Sequence, residues 1–345
     1  MRMGRTTVYN KIAPKEKLDL VNKDNLELMR DFLDYLSSID RAETTIHGYE
    51  SDLNIFFVWN MEYNHNKFFI ELTKREFSKF QNHCLKEWGW SSGRVRRVKS
   101  VLSSMSNYIE NILDDEYDFR SIVRKIESPA NVKVREKTVF TDEQLNYLLD
   151  FLVEHEQYDK ACMLAMCMCN GRRKAELPRM KVSYFTDENI IYGSLYKTPE
   201  PVVTKGRGSR GKPITVYTLV NPFKKYLDLW LKFREENKIT SEWLIPYKEY
   251  GEYVDKQIPI STMDSWAETF TRILGVPFYW HSLRHYFTTN CSRSGLPDDV
   301  IKSLIGWESN DMVAVYKDID ADEQFEKYFC EDGIRKVESK SLADM

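Results

Sequence analysis

Between residues 25 and 113, apolar residues recur with the spacing of an α-helix in four successive segments. The first segment places Leu28, Phe32 and Leu36 on one face. The second is predicted to begin at Thr44 or Thr45, the third at Thr73, and the fourth just after Trp88–Ser92. Four amphipathic helices on short connections predict a small helical N-terminal domain.

The two stretches that flank this region have little periodicity. Residues 1–24 are polar and lightly basic, which predicts a flexible N-terminal arm or an ordinary disordered terminus. Residues 114–137 combine an acidic run, several basic residues and Pro129. Such a stretch between two cores predicts a basic linker, whose charge suits a phosphate backbone but also serves solubility alone.

The remaining residues, 138–345, mix helical patterns with short β-rich runs. The predicted elements are helices from Thr141, at 157–169, 222–237 and 262–274 and from about 320, and strands at 189–195, 201–204 and 212–217. The fold class expected for the whole chain is therefore mostly α with a small antiparallel β-sheet, arranged as two domains.

The composition indicates the class of protein but says little about its binding partners. The 345 residues, 42% of them hydrophobic, are enough for two cores, and the net charge of −3 gives no hint of nucleic acid. The six cysteines form no CxxC pair, which favours buried thiols and a reducing compartment. No apolar stretch is long enough to span a membrane, so a soluble, cytoplasmic protein is expected.

Several side chains that are able to bind a phosphate lie between His281 and Tyr316. His281 and Arg284 are one helical turn apart and share a face, and Trp307 follows on the next predicted helix. A phenol attacks a phosphodiester when cations stabilise the developing charge and a donor protonates the leaving oxygen. The sequence therefore predicts Tyr316 as a nucleophile, with His281, Arg284 and Trp307 around the phosphate.

A second arginine and a lysine upstream are candidates for the remaining roles. Arg173 lies at a break in helix where it can turn into a cleft, and Glu176 can hold it by an ion pair. Its neighbour Arg172 competes for the same role. Lys205, in a glycine-rich turn, can protonate the leaving oxygen. Taken singly, Lys205 is more simply a solvated loop lysine, and a lone His281 a structural histidine.

The order and spacing of these residues resemble the tyrosine recombinase (phage integrase) family over about residues 25–320. Gly171–Leu177 resembles the family's G-x-R-x-x-E-L motif, with Arg173 in the catalytic position. His281–His285 resembles its H-x-L-R-H motif, and the stretch that begins at Lys205 resembles its β-turn lysine motif.

The last part of the resemblance concerns Trp307 and Tyr316. The family's nucleophile normally lies nine residues after a His or, in a minority of members, a Trp, and Tyr316 lies nine residues after Trp307. An indole can donate a hydrogen bond to a phosphate oxygen, but it cannot relay a proton as imidazole can.

The resemblance implies the fold, the reaction and the roles of the site residues. It implies a four-helix core-binding (SAM-like) domain at 25–113 and a mixed α+β catalytic domain at 138–345. In the implied reaction Tyr316 forms a 3′-phosphotyrosyl enzyme without metal, ATP or cofactor. The pentavalent state is stabilised by Arg173 and Arg284, with help from His281 and Trp307. Lys205 protonates the leaving oxygen, and the supporting residues are Glu176 and His285.

The implied partners are double-stranded DNA and further copies of the chain. A tetramer on two DNA sites would form through the C-terminal helix from about 320, whose apolar side chains can equally pack on their own chain. DNA contact is expected from basic side chains that otherwise form a solvated face: Lys74, Arg75, Arg94, Arg96, Arg97, Lys99, Arg124, Lys125, Arg207 and Arg210.

Two alternatives share these residues. A type IB topoisomerase uses the same catalytic groups but rejoins the same strand. The other alternative is a DNA-binding accessory protein of the same fold without turnover; loss of a catalytic position would favour it, and none is lost here. The expected function is site-specific recombination for the integration, excision or resolution of a mobile element.

Overall fold

Two hydrophobic cores, each formed by its own part of the chain, organise the computed structural model. The structure describes residues 11–130, 139–204 and 211–317, together with the backbone of 329–330 and 333–334. Within this part of the chain, no helix is both long and apolar enough to cross a membrane.

The first unit is helical. Its helices are α1 (Lys15–Leu18), α2 (Lys23–Ser38), α3 (Glu43–Tyr63), α4 (Lys74–Lys86) and α5 (Ser92–Ile112). An aromatic cluster fills the centre, where the ring of Phe56 stacks on Phe77 at 5.5 Å and meets Phe80 edge-on at 4.9 Å. The four helices predicted here, α2 to α5, are confirmed.

The starts of these helices follow from local capping. Thr73 Oγ1 and its backbone N–H both donate to the Glu76 carboxylate, as in a capping box, and Ser91 Oγ accepts from the backbone N–H of Arg94. The predicted start of α3 at Thr44 or Thr45 is wrong, because the helix begins at Glu43 without a side-chain cap.

The first unit extends beyond the helical segment at both ends. Ala13 and Val21 are buried in its core, which corrects the prediction of a flexible arm over the whole of residues 1–24. Ser121 and Val123 are also buried, so residues 121–130 pack on the helices instead of belonging to a free linker at 114–137. The apolar residues of these two stretches form groups too short to give a clear helical periodicity, which is why these contacts were not predicted.

The second unit surrounds a buried helix with further helices and short β-ladders. Its helices are α6 (Asp142–Glu154), α7 (Tyr158–Asn170), α8 (Asn221–Glu236), α9 (Ile260–Leu274), α10 (Trp280–Arg293), α11 (Asp298–Ile305) and α12 (Asp311–Tyr316). Helix α7 lies at the centre, because nine of its residues are buried. The predicted cap at Thr141 is confirmed by reciprocal hydrogen bonds with Gln144.

The strands between residues 190 and 257 form three separate antiparallel sheets. They are β1 (Ile190–Ile191), β2 (Leu195–Lys197), β3 (Val202–Thr204), β4 (Lys212–Ile214), β5 (Tyr217–Leu219), β6 (Pro246–Glu249) and β7 (Glu252–Gln257). The sheet orders are β1-β2-β5, β3-β4 and β6-β7. In the β3-β4 ladder Thr204 pairs with Lys212, on either side of the predicted turn. The β6-β7 hairpin was not predicted.

The C-terminal tail departs from the predicted helix. The described part is a two-stranded antiparallel ladder of β8 (Phe329–Cys330) and β9 (Gly333–Ile334). Gly333 has a low helix propensity, which works against a helix at this position. The rest of the predicted helix lies outside the described residues.

Candidate active site

Gly171 joins two elements of the site. Helix α7 ends at Asn170, and Gly171 follows with φ +57°, in the left-handed region. A Cβ at this position would lie 2.6 Å from Cδ1 of Phe287 on α10, so only glycine fits. Its carbonyl accepts a hydrogen bond of 2.9 Å from Nη1 of Arg284. This bond holds Arg284 at Gly171, two residues from Arg173, the other predicted catalytic arginine.

The two adjacent arginines after Gly171, Arg172 and Arg173, have different surroundings. Arg173 forms an ion pair with Glu176, 3.1 Å from Nη1 to Oε1, and its side chain is 37% exposed. Glu176 is buried and also accepts from the backbone N–H of Arg173 at 3.2 Å. Arg172, in contrast, is wholly buried and donates through Nη2 to the carbonyl of Leu304 at 2.6 Å. Only Arg173 is therefore both held and open to a large substrate.

Arg284 lies under two aromatic rings. It is wholly buried, and its guanidinium carbon is 4.7 Å from the ring centroid of Trp307 and 5.5 Å from that of Tyr316. Arg284 Nε and Nη2 and Trp307 Nε1 are buried and have no hydrogen-bond partner within residues 11–130, 139–204 and 211–317. Unpaired buried donors are costly, so this position favours a ligand with several acceptor oxygens.

The charges around Arg284 reinforce this preference. Burial, together with the positive charges of Arg173 and Arg172, lowers the pKa of Arg284 to about 9. Burial also lowers the pKa of Arg172 to about 10. Both groups are still cationic at neutral pH, and an anion placed among them relieves their mutual repulsion.

Tyr316 ends α12, and its hydroxyl lies 3.0 Å from Nε2 of His281. Burial and the neighbouring His285, Arg284 and Arg173 lower the pKa of His281. A neutral imidazole at this distance can accept the phenol proton. The ring of His285 lies 4.5 Å from that of Tyr316, which places this predicted supporting residue beside the phenol.

The indole of Trp307 also lies against the phenol ring of Tyr316. The two ring centroids are 5.0 Å apart, and Trp307 is almost completely buried. The residue follows Gly306, whose φ of +71° ends α11 and turns the chain. The structure thus brings together five of the six predicted catalytic residues: Arg173, His281, Arg284, Trp307 and Tyr316.

Two carboxylates that sequence reasoning did not single out hold α12 at its ends. Asp299 Oδ1 accepts from Nδ2 of Asn310, the N-cap residue of α12, at 2.7 Å. Its neighbour Asp298 lies 3.8 Å from Nζ of Lys317, just after Tyr316. In the sequence they are ordinary first-turn acids of a helix, so only the tertiary contacts reveal them. Ser309 Oγ also accepts from the backbone N–H of Asp311, the first residue of α12.

The predicted β-turn residues Lys205, Arg207 and Arg210 lie outside the described residues, as does most of the tail. The strands that flank the turn, β3 and β4, are paired, so the hairpin predicted from the sequence is present.

The basic residues predicted for DNA contact in the first unit have different surroundings. Arg94 and Arg97 both reach the buried carboxylate of Asp52, at 2.5 and 3.2 Å. Arg96 donates to the carbonyl of Pro129 at 2.9 Å, and Lys99 donates to Ser128 Oγ at 3.0 Å. These four side chains thus have contacts within their own unit.

The remaining basic candidates of the first unit are more open. Lys74, Arg75 and Lys125 are exposed. Arg124 is also exposed, and its guanidinium lies 3.7 Å from the carboxylate of Glu110. Exposed cations of this kind are the ones that can exchange solvent for phosphate.

Residues 138–323, more than half of the chain, match the phage integrase family. The chain belongs to the phage integrase family. It is 31% identical over 254 residues to the SPbeta prophage-derived recombinase-like protein YomM of Bacillus subtilis (strain 168), covering 72% of each chain. It is 21% identical over 302 residues to a tyrosine recombinase of Thermosipho africanus (strain TCF52B), covering 86% of this chain and 96% of that one.

Solved structures show the same fold. The XerH site-specific recombinase in a post-cleavage complex with a palindromic difH substrate has a TM-score of 0.63 at 15% identity, covering 91% of this chain and 96% of that one. A lambda integrase dimer bound to a COC' core site has a TM-score of 0.63 at 15% identity, covering 85% and 94%. As a family member, this integrase is a tyrosine-type site-specific recombinase, an enzyme that cleaves and rejoins DNA strands.

Proposed function

We propose that Tyr316 is the nucleophile with which this integrase cleaves DNA, leaving a 3′-phosphotyrosyl enzyme and a free 5′-hydroxyl. The observation that carries the proposal is the position of the phenol. Its hydroxyl is 3.0 Å from His281, and its ring covers the buried Arg284, whose Nε and Nη2 lack partners among the described residues. A nucleophile, a proton acceptor and unpaired cationic donors together suit attack on a phosphodiester.

The neighbouring groups have separate roles in the proposed step. Arg284 and Arg173 stabilise the pentavalent phosphate, because two guanidinium groups bracket its non-bridging oxygens better than one. Glu176 positions Arg173 through the 3.1 Å ion pair, and the Trp307 indole donates to a phosphate oxygen. Lys205 protonates the leaving 5′-oxygen.

Rejoining follows from the same intermediate. A 5′-hydroxyl of the partner strand attacks the phosphotyrosine, which restores a phosphodiester and releases the Tyr316 phenol. The bond energy is conserved in the protein–DNA linkage, so the step needs no ATP. His281 and His285, beside the phenol, are positioned to return the proton.

The partners we propose are double-stranded DNA inside the cell and further copies of this chain. The solved structures with this fold include the XerH recombinase bound to a difH substrate, the Tn1549 transposon integrase in complex with transposon right end DNA, and a lambda integrase tetramer bound to a Holliday junction, with TM-scores of 0.63, 0.62 and 0.62. We propose four copies on two sites, with the segment after Tyr316 contacting a neighbouring copy. The resemblance to a prophage-derived recombinase and to the Tn1549 transposon integrase favours integration, excision or resolution of a mobile element.

The test is covalent capture on a nicked DNA duplex selected by binding to the protein. Wild type, Tyr316→Phe and Tyr286→Phe would be incubated with end-labelled duplex in EDTA and run on denaturing gels. Tyr286 is the matched control, because it lies on α10 but donates to Asp142 away from the phenol of Tyr316. We expect an adduct from wild type and Tyr286→Phe and none from Tyr316→Phe. An adduct that persists in Tyr316→Phe would assign the nucleophile to another residue.

A further inference from the structure

Arg172 is a fully buried charged side chain of the second unit to which the proposed reaction gives no role. It is wholly buried, and its Nη2 donates to the carbonyl of Leu304 at 2.6 Å, across 132 residues of sequence. Its Nε and Nη1 have no partner in the part of the chain that the structure describes. A buried guanidinium with one strong acceptor is expensive, so its position calls for a physical reason.

The carbonyl that Arg172 binds is one of four that a helix leaves without intrahelical donors. At the end of α11, the carbonyl of Lys302 accepts from the N–H of Trp307 at 3.0 Å, and that of Ser303 accepts from the N–H of Gly306 at 3.2 Å. The next carbonyl, that of Leu304, accepts from Arg172. The guanidinium therefore completes the C-terminal cap of α11, where a positive charge is favoured.

Arg172 also lies against the turn that follows. A Cβ at Gly306 would be 3.8 Å from Arg172 Nη1 and 3.0 Å from Cδ1 of Ile214, so the chain passes close to both. This turn leads directly to Trp307, whose ring lies 4.7 Å from the Arg284 guanidinium carbon and 5.0 Å from the Tyr316 ring. Displacement of the turn would therefore displace the indole from the group that the proposed reaction uses.

We propose that Arg172 is a positioning residue that holds the Trp307 indole in the active site by capping α11. The effect of Arg172 on the reaction rate rests on the proposed function, whereas its effect on the position of Trp307 does not. The competing role is direct phosphate binding, in which Arg172 would act independently of Trp307.

The first experiment measures the position of Trp307 without DNA. Full-length protein with ¹⁵N-labelled tryptophan has eight indole N–H groups, and the signal lost in Trp307→Phe assigns the one of interest. In Arg172→Lys we expect this signal to show the largest change of the eight. Arg234→Lys is the matched control, because Arg234 is also buried in the second unit and donates to the carbonyls of Trp243 and Leu244. There the Trp307 signal should stay in place.

Two results of this experiment would overturn the proposal. One is a Trp307 signal that is unmoved in Arg172→Lys. The other is loss of the dispersed spectrum in both Arg172→Lys and Arg172→Met while the Arg234 variant folds, which would assign Arg172 a general stabilising role.

The second experiment is a double-mutant cycle on the rate of covalent adduct formation at saturating DNA. Arg172→Lys should slow the rate about tenfold in the wild-type background and less than about twofold in Trp307→Phe. An equal loss in both backgrounds would contradict positioning through Trp307 and favour direct phosphate binding. If Trp307→Phe itself leaves the rate unchanged, the role proposed for the indole in catalysis fails, while the tryptophan spectra still decide the position of Arg172.

Discussion

Replacing Gly171 by alanine tests how closely α7 and α10 are packed at the site. Gly171 has φ +57°, and a Cβ there would lie 2.6, 3.1 and 3.2 Å from three carbon atoms of Phe287. Its carbonyl also holds Arg284. The substitution therefore adds backbone strain and a steric clash at the point where the predicted catalytic arginines meet.

The two contributions can be separated with a matched glycine. A left-handed alanine costs about 1–2 kcal/mol, and overpacking a buried site adds about 1–3 kcal/mol. Gly275 ends α9 in the same way, with φ +70°, but a Cβ there has no atom within 4 Å. We expect Gly171→Ala to lose about 1–3 kcal/mol more stability than Gly275→Ala, because only the first meets Phe287.

Native-state hydrogen exchange of the amides in α10 is the suitable assay. The chain has two units, so a single melting temperature would mix their transitions, whereas exchange reports the free energy of opening of the second unit. Equal losses in the two variants would refute the reasoning, since Phe287 would then move aside without cost. In the same samples, Gly171→Ala should form the covalent adduct more slowly than Gly275→Ala, because Arg284 loses its fixed position.

Three further predictions concern pH and DNA binding. Burial alone would raise the pKa of Glu76, but hydrogen bonds from Lys67 and Thr73 outweigh it and lower the pKa from 4.5 to about 2. The carboxylate then stabilises the first unit above pH 4.5 by at most roughly 3 kcal/mol. This stabilisation is lost as the pH falls towards 2. In Glu76→Gln, the free energy of unfolding of the first unit should not show this part of the decrease. The pKa of His281 is lowered from 6.5, so the imidazole is protonated, and adduct formation should decline, only below that pH. The variant His281→Gln should not show this decline. If its pH–rate profile equals that of the wild type, His281 is not the proton acceptor. Lys74→Ala and Arg75→Ala should each reduce the slope of log K against log salt by about 1 in DNA-binding titrations, and unchanged slopes would remove these exposed side chains from the interface.

The elements that were predicted correctly are those set by interactions between residues close together in the sequence. The helix starts at Thr73 and Thr141 follow from capping residues and the periodicity after them, which are interactions within a few residues. Where the signal was weak or mixed, prediction failed. Val123 is buried with only a short apolar group around it, too brief for a periodic signal. In the tail, the described residues 329–330 and 333–334 form a β-ladder where an amphipathic pattern predicted helix.

The roles of the two adjacent arginines show the same limit within the site. Spacing alone left Arg172 and Arg173 in competition, because neighbouring residues share every local feature. Their burial and partners separate them, since the partly exposed Arg173 pairs with the buried Glu176, whereas Arg172 is wholly buried and bonds to Leu304.

The sequence by itself determined the helical faces, the β-hairpin and the set of chemically suitable residues, because periodicity, capping and motif spacing are local. Only the tertiary structure decided which of those residues meet. The hydrogen bond from Arg284 to Gly171 spans 113 residues and that from Arg172 to Leu304 spans 132. Such contacts depend on how α7, α10 and α11 pack, and the free energy of that packing comes from many buried side chains at once.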